Sequence, residues 1–415
     1  MSLPRLLAGV RDDRPLSLAE HLAIHGSAPA AGPELFDALD DAGLRGRGGA
    51  SFPTGVKLRS VAARRGSKTV LVNGAEGEPM SSKDRVLLRC APHLVLDGAL
   101  AAAAAVGARA VVVAVPRDAP RALDALHGAV AERPDARHVT IAPVPVAYLA
   151  GEETALIRYL DGASLKPTTS PPLPFERGLR RRPTLVQNPE TLAHLALILR
   201  HGSDWFREVG TLGHPGSAMV TVCGAVERPG VQEIALGSPL DNVLLHAGGP
   251  SDHLRAVLVG GFHGTWIPPA ALPTVTLDDE GLAWHGASLA AGVVVALDVA
   301  ACPVQEVAQT MAWLEGQSAH QCGPCSNGLP AIAGELARVA AGYDDGHGLA
   351  RIERWGGLVA RRGACRLPDG AVRFLRSALE VFPLEFAEHA RRGPCRACAR
   401  PLTLSVPASF STVAA

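Results

Sequence analysis

Lysine is scarce in this chain: Lys57, Lys68, Lys83 and Lys166 are the only four among 40 basic residues, and 40 acidic residues cancel them. A net charge of zero excludes the electrostatic footprint of a nucleic-acid binder or a polybasic membrane-surface protein, leaving small molecules and proteins as partners. Where arginine is the default cation, each retained lysine marks a place suited to a compact ammonium. Cysteine is sparse too. Eight in 415 residues are too few for a disulfide scaffold, so the thiols read as core filler or as metal ligands, and five of them fall after residue 320. Long apolar runs are lacking: the most apolar stretch, His93 to Pro116, is interrupted by Asp97, Gly98, Gly107 and Arg109 and cannot span a bilayer. The opening MSLPRLLAGVRDDRPLSLAEHL has a short apolar patch, but acidic residues follow and no small-residue cleavage site closes it. A secretory signal is not expected there, and the expected location is cytoplasmic.

What is present divides into segments. Residues 1–42 form a helical preface with a small hinge, GSAPAAGP. Residues 43–205 alternate between apolar runs (TVLVN, ARAVVVAVP, VTIAPVPVAYL) and helix-like stretches (HLVLDGALAAAAAVGA, RALDALHGAVAERP, EETALIRYLDG). That alternation predicts an α/β domain with a Rossmann-like parallel sheet. Residues 162–190, rich in Pro, Arg and Thr, read as a long ordered loop. Short β-branched runs punctuated by Gly and Pro across 215–300 predict a small β-grasp-like α+β domain. From 302 to 392 four helical stretches predict a bundle, with a tail over 393–415.

Three polar segments stand out in the α/β domain, one ahead of its first strand and two where strands end. GLRGRGGASFPTGVK packs Gly46, Gly48, Gly49 and Gly55 around Arg47 and Lys57, a loop that brings backbone N–H groups close to an anion, although glycine-rich turns are also simply turns. VNGAEGEPMSSKDR follows TVLVN and places Asn73, Glu76 and Glu78 at the carboxyl edge of the sheet, where open α/β sheets bind ligands. AYLAGEETALIRYLDG brings Gly151, Glu152 and Glu153 to a strand-to-helix junction. Carboxylates there suit the N–H and O–H groups of a flavin or a ribose, and equally suit a helix N-terminus.

These segments, together with RPTLVQNPETLA, resemble in type and order the family of the 51 kDa NADH-binding subunit of respiratory complex I and its relatives in NAD-linked hydrogenases and formate dehydrogenases. The resemblance implies an FMN domain, an SLBB-type β-grasp domain and an iron–sulfur-binding bundle. It implies Arg47, Gly48, Lys57, Asn73, Glu76, Tyr148, Gly151, Glu152 and Asn188 around FMN, and Phe52, Glu78, Glu153 and Lys166 around NADH. Glu78 and Glu153 would position the reacting rings. The chain departs from the family pattern at Ala75, where an Asp is usual, at Leu58 for a Trp, at Gln187 for an Asn, and at Leu173 for an aromatic.

Cys322 and Cys325 form a Cys-x-x-Cys between two helical stretches, and Cys365 lies in a later turn, an arrangement suited to an iron–sulfur cluster. By resemblance a further ligand belongs at Ala319, so a [4Fe–4S] cluster would draw its fourth ligand from His320, Cys395, Cys398 or Cys302, or from a small molecule, with His320 and Cys395 preferred. Zinc on Cys322, Cys325, Cys395 and Cys398, or a redox dithiol, are the other readings. Cys90 and Cys223 read as core. The implied activity is hydride transfer from NADH to FMN, then single electrons through the cluster to a ferredoxin or small iron–sulfur subunit, within a larger complex or linked to quinone. A stand-alone flavin-dependent ferredoxin reductase and a non-catalytic scaffold are the alternatives.

Overall fold

The computed structural model of the chain describes residues 3–249, 253–404 and 406 and divides into two compact units. The first comprises the chain to Gly77, Ser81–Val220 and Val231–Ser238; the second comprises Glu78–Met80, Thr221–Gly230 and the chain from Pro239 onward.

In the first unit, α1 (Leu18–His25), α2 (Glu34–Ala42) and α3 (Thr54–Ala62) precede β1 (Lys68–Asn73). There follow α4 (Lys83–Cys90), α5 (Pro92–Val106), β2 (Ala108–Pro116), α6 (Pro120–Ala131) and β3 (Val139–Val144). The unit continues with α7 (Glu153–Leu160), the single turn α8 (Pro174–Arg177), β4 (Thr184–Gln187) and α9 (Pro189–Arg207), which is broken at Gly202. The strand order is β3-β2-β1-β4 and every pairing is parallel. Val70, Leu71 and Val72 of β1 are fully buried, as a parallel sheet covered on both faces requires. Because all four strands run the same way, Asn73, Pro116, Val144 and Gln187 end them at one edge. One close helix pair backs the sheet: a Cβ added to Gly98 of α5 would lie 1.9 Å from the Leu192 carbonyl of α9.

β4 lies inside the segment expected to be a loop. It is only four residues long, between arginines and Asn-Pro, so it shows no period of its own; all four residues are buried because β1 pairs with them. No helix among the described residues is long and apolar enough to cross a membrane; α4 and α5 would reach the length only together, and they are bent by 94°.

The chain enters the second unit within β5 (Ser217–Gly224), returns to the first from Val231 through β6 (Gly230–Ala235), and from Pro239 continues in the second with α10 (Leu240–His246), β7 (Leu254–Val259), β8 (Thr265–Ile267), α11 (Asp279–Ala283) and β9 (Val293–Asp298). This sheet has the order β6-β5-β9-β7-β8, with β5 parallel to β9 and the β9–β7 and β7–β8 pairs antiparallel, a mixed sheet as expected of an α+β domain. The helical region contains α12 (Pro303–Gly316), α13 (Leu329–Ala341), α14 (Gly348–Val359), α15 (Leu367–Val381) and α16 (Pro383–Arg392). The last of the four expected helical stretches is thus two helices. Pro383 lacks an N–H and forces the preceding residue out of the helical region, and Phe382 accordingly sits at φ −120°, ψ 41°. The corner is packed, with Trp266 of β8 edge-on to Phe382 at 5.3 Å between ring centres.

Candidate functional site

In the first unit the glycine-rich loop is closed on itself by Gly46 N–H donating to the Phe52 carbonyl and Thr54 N–H to that of Leu44, both at 2.9 Å. It is fixed to the start of α9 by Arg47, whose N–H donates to Thr191 Oγ1 at 2.8 Å and whose Nε donates to the Ser217 carbonyl. Gly48 approaches the same helix end: an added Cβ would lie 3.3 Å from Asn188 Cβ. Asn188 caps α9 by accepting from Glu190 N–H, and its amide donates to Asp84 Oδ2 at 2.6 Å.

Beneath this cap lies a buried charge network. Lys83 donates to Asp84 at 2.8 Å and to Glu190 at 2.7 Å. Burial works to lower the Lys83 pKa, but the two carboxylates outweigh it and hold the ammonium charged far above its ordinary range. Sequence reasoning singled out Lys83 by its rarity but missed Asp84, Glu190 and Thr191. Asp84 follows a scarce lysine, and Glu190 and Thr191 follow Asn-Pro, which were the available signals.

The other polar ends meet one another. Asn73, at the end of β1, donates through its side chain to the Gly151 carbonyl at 2.8 Å. Gly77 passes so close to Tyr148 that an added Cβ would lie 2.3 Å from the Tyr148 carbonyl. Lys57 donates to Glu153 Oε2 at 3.1 Å, with both side chains about one-third exposed. Phe52 is half exposed, and Lys166 lies half-buried in the segment after α7, its N–H donating to the Ser164 carbonyl.

Two glutamates expected at the flavin are engaged as helix caps. Glu76 accepts from Ser81 Oγ and from the N–H groups of Asp84 and Arg85, closing the start of α4 with a side chain only 3% exposed. Burial first and then the Asp84 charge raise its pKa, while the hydrogen bonds pull the other way. Glu152 accepts from Ala155 N–H and Thr154 Oγ1, both at 2.7 Å, as the N-cap of α7. In the second unit Glu78 is buried and accepts from Phe262 N–H at 2.9 Å and Met80 N–H at 3.3 Å. The turn that receives it needs glycine, because a Cβ on Gly261 (φ +75°) would lie 2.4 Å from the Glu78 carboxyl carbon.

Also in the second unit, the π-helical turn Pro324–Gly328 carries Cys325 into α13, and Cys325 N–H donates to the Cys322 carbonyl. Burial pushes the Cys325 thiol up to about 12, reinforced by Cys322 and Cys365. Ala319 is buried beside them in sequence and has no donor atom. His320, in a left-handed conformation (φ 49°), has Nε2 3.9 Å from Glu315. Cys395 and Cys398 group with Cys302 and His389. Their sulfurs lie 3.7 Å apart, and Cys398 Sγ is 3.5 Å from Cys302 Sγ, in a separate group of donors. Cys90 is core; Cys223 is partly buried, its thiol pushed up to about 12 by burial and then by Glu78.

Residues 39–197 match the family model described as the Nuo51 FMN-binding domain, 219–261 an SLBB domain, and 305–389 the NADH-ubiquinone oxidoreductase-F iron–sulfur binding region. The F 2 subunit of NADH-quinone oxidoreductase from Rhizobium meliloti (strain 1021) is 32% identical over 379 residues, covering 87% of this chain and 90% of that protein. The chain belongs to the family of NADH-quinone oxidoreductase F subunits. The likeness extends to NADP-reducing hydrogenase subunit HndC of Solidesulfovibrio fructosivorans, 28% identical over 94% of this chain and 85% of that one. A solved NAD+-reducing [NiFe]-hydrogenase in the air-oxidised state matches with a TM-score of 0.82 at 30% identity, covering 94% of this chain and 69% of the other. In the H2-reduced state the TM-score is 0.79 at 31% identity, and the match covers 87% of this chain and 63% of that chain. As a homologue of the NADH-quinone oxidoreductase F subunits the chain therefore carries an FMN-binding domain and a 4Fe–4S-binding region, as the resemblance implied.

The residues present fit both groups in part. At the sheet edge Gly48 lies close against the Asn188 cap, where a Cβ would crowd the contact, and Lys57 is about one-third exposed, a loop and a cation of the kind that suits a bound anion. For the cluster, Cys322 and Cys365 are the cysteines that act electrostatically on Cys325, and alanine stands where a further ligand is expected.

Proposed function

We propose that this chain is the NADH-oxidising, FMN-bearing subunit of a larger oxidoreductase complex, delivering electrons through an iron–sulfur cluster to a ferredoxin or small iron–sulfur subunit. The observation that carries the proposal is the meeting of four polar segments at the carboxyl edge of one parallel sheet. The glycine-rich loop is tied to the α9 cap, the β1 end to the Tyr148–Gly151 turn, and Lys57 to Glu153. Ligands of open parallel sheets bind at that edge.

On this reading Arg47, Gly48, Lys57, Asn73, Tyr148, Gly151 and Asn188 hold FMN, and Phe52, Glu153 and Lys166 hold NADH. FMN, when bound, supplies the conversion of a hydride into single electrons. The side chains bind and orient. Glu76 and Glu152 act through the helix ends they cap, keeping Asn73 and Gly151 in place, and Glu78 positions its loop through Phe262. Cys322, Cys325 and Cys365 would hold the cluster, with His320, whose Nε2 lies 3.9 Å from Glu315, as the candidate fourth ligand.

Anaerobic reconstitution of the full chain with FMN, iron and sulfide tests the proposal. Addition of NADH is expected to bleach the flavin and to produce a reduced-cluster paramagnetic signal that Cys322→Ser/Cys325→Ser abolishes. Protein that retains neither flavin nor iron, or a bound flavin that NADH fails to bleach, overturns it.

A further inference from the structure

Four side chains of metal-ligating type in the second unit form a group that includes none of the three cysteines assigned to the cluster. Cys302 is the N-cap of α12, His389 lies in the last turn of α16, and Cys395 and Cys398 belong to the 3-10 turn Arg396–Ala399 and its N-cap. Cys302 Sγ is 3.4 Å from His389 Nε2 and 3.5 Å from Cys398 Sγ. Cys398 Sγ is 3.7 Å from Cys395 Sγ and 3.9 Å from His389 Nε2. All four donor atoms fall within 4.8 Å of one another.

These separations match one ion. Zinc bonds of about 2.3 Å to sulfur and about 2.0 to 2.1 Å to nitrogen place tetrahedral ligand atoms about 3.8 Å (S to S) and about 3.6 Å (S to N) apart. An iron–sulfur cube distributes its thiolates over separate irons and needs a wider set. A redox dithiol would use two of the four donors and leave the histidine without a part.

The histidine is also oriented for the task. His389 Nδ1–H donates to the Ala340 carbonyl at 3.2 Å, which fixes the tautomer with the Nε2 lone pair toward the sulfurs, the usual outer hydrogen bond of a ligating imidazole. Cys302 and His389 are 5% and 3% exposed. Beyond the turn, the tail is stitched back onto α12 by Glu306, which accepts from Thr403 N–H at 2.7 Å and Leu404 N–H at 2.8 Å, so Cys395 and Cys398 are held from both sides.

We propose that Cys302, His389, Cys395 and Cys398 form a zinc(II) site that fastens the C-terminal tail to the helical region. With four protein ligands and no open position the site is structural rather than catalytic. Binding releases the thiol protons to solvent.

Cobalt(II) titration of the metal-depleted full chain provides the test, in a Cys322→Ser/Cys325→Ser/Cys365→Ser background that removes the cluster ligands. One equivalent is expected to give tetrahedral ligand-field bands with thiolate-to-cobalt charge transfer. Zinc(II) should bleach those bands, and Cys395→Ser/Cys398→Ser should abolish them. The milder His389→Gln, which leaves the tail cysteines in place, should weaken cobalt binding at least tenfold. Absence of the bands in folded protein, their persistence in Cys395→Ser/Cys398→Ser, or iron with labile sulfide retained at these residues overturns the proposal. Flavin reduction by NADH is independent of this readout.

Discussion

Lys83 Nζ lies 2.7 Å from Glu190 Oε2, with neither side chain more than 3% exposed. The pair joins the first turn of α4 to the first turn of α9, the two helix ends that flank Asn188. Removing one partner of a buried ion pair leaves an uncompensated charge and costs about 3 to 5 kcal/mol. Lys83→Met is expected to destabilise the chain by that order in urea unfolding, and Lys83→Met/Glu190→Gln to recover part of the loss.

Glu76 is predicted to act on the flavin through helix α4. Loss of a side-chain acceptor for the first N–H groups of a helix costs about 0.5 to 2 kcal/mol. Glu76→Gln, which keeps the shape and removes the charge, should lower stability within that range and weaken FMN binding. A wild-type stability with lost flavin affinity would instead indicate direct contact with the ring.

Lys57 and Glu153 form a pair about one-third exposed, and pairs open to solvent contribute about 1 kcal/mol or less to stability. Lys57→Ala should therefore leave the unfolding midpoint nearly unchanged. If Lys57 faces a phosphate or nucleotide anion, the same variant raises the FMN or NADH dissociation constant about tenfold, equivalent to about 1.4 kcal/mol. Fluorescence titration of the flavin and the KM for NADH separate the two ligands.

His263 gives the stability a direction with pH. Burial, and after it the charge of Arg373, pushes this imidazole down to about 3, whereas an unfolded histidine titrates at about 6.5. Above the unfolded value both states are neutral and the contribution is complete. As the pH falls below about 6.5 the unfolded chain takes up a proton that the native chain refuses, and stability is lost by up to about 1.4 kcal/mol per pH unit toward 3. His263→Leu should flatten the difference between urea unfolding at pH 7.5 and at pH 5, relative to the wild-type chain.

Gly98 predicts a steric limit. Alanine there would place Cβ 1.9 Å from the Leu192 carbonyl, a backbone atom that cannot rotate away. Overpacking of this kind costs about 1 to 3 kcal/mol, so Gly98→Ala should lower the melting temperature although alanine is the better helix former.

Legibility in the sequence followed how local each signal was. Val70–Val72 and Val111–Val115 are continuous apolar runs, so β1 and β2 could be read directly, and the glycines around Arg47 announced their loop. β4 could not be read, because Thr184–Gln187 is a strand only through its pairing with β1. Pro383 was a visible breaker inside an apparently continuous helical pattern. Glu152 was legible as an acid at a helix start; Glu76 was not, since its partners begin five residues later. His389 and Cys302 were illegible as a pair because 87 positions separate them and the histidine sits in an ordinary polar helix end.

Cys302 opens the helical region and Cys398 follows its last helix. An ion held by both would turn everything between them into a closed ring. A protease cut in the turn around Tyr343, which is 73% exposed, would then yield two pieces that migrate together until a chelator is added.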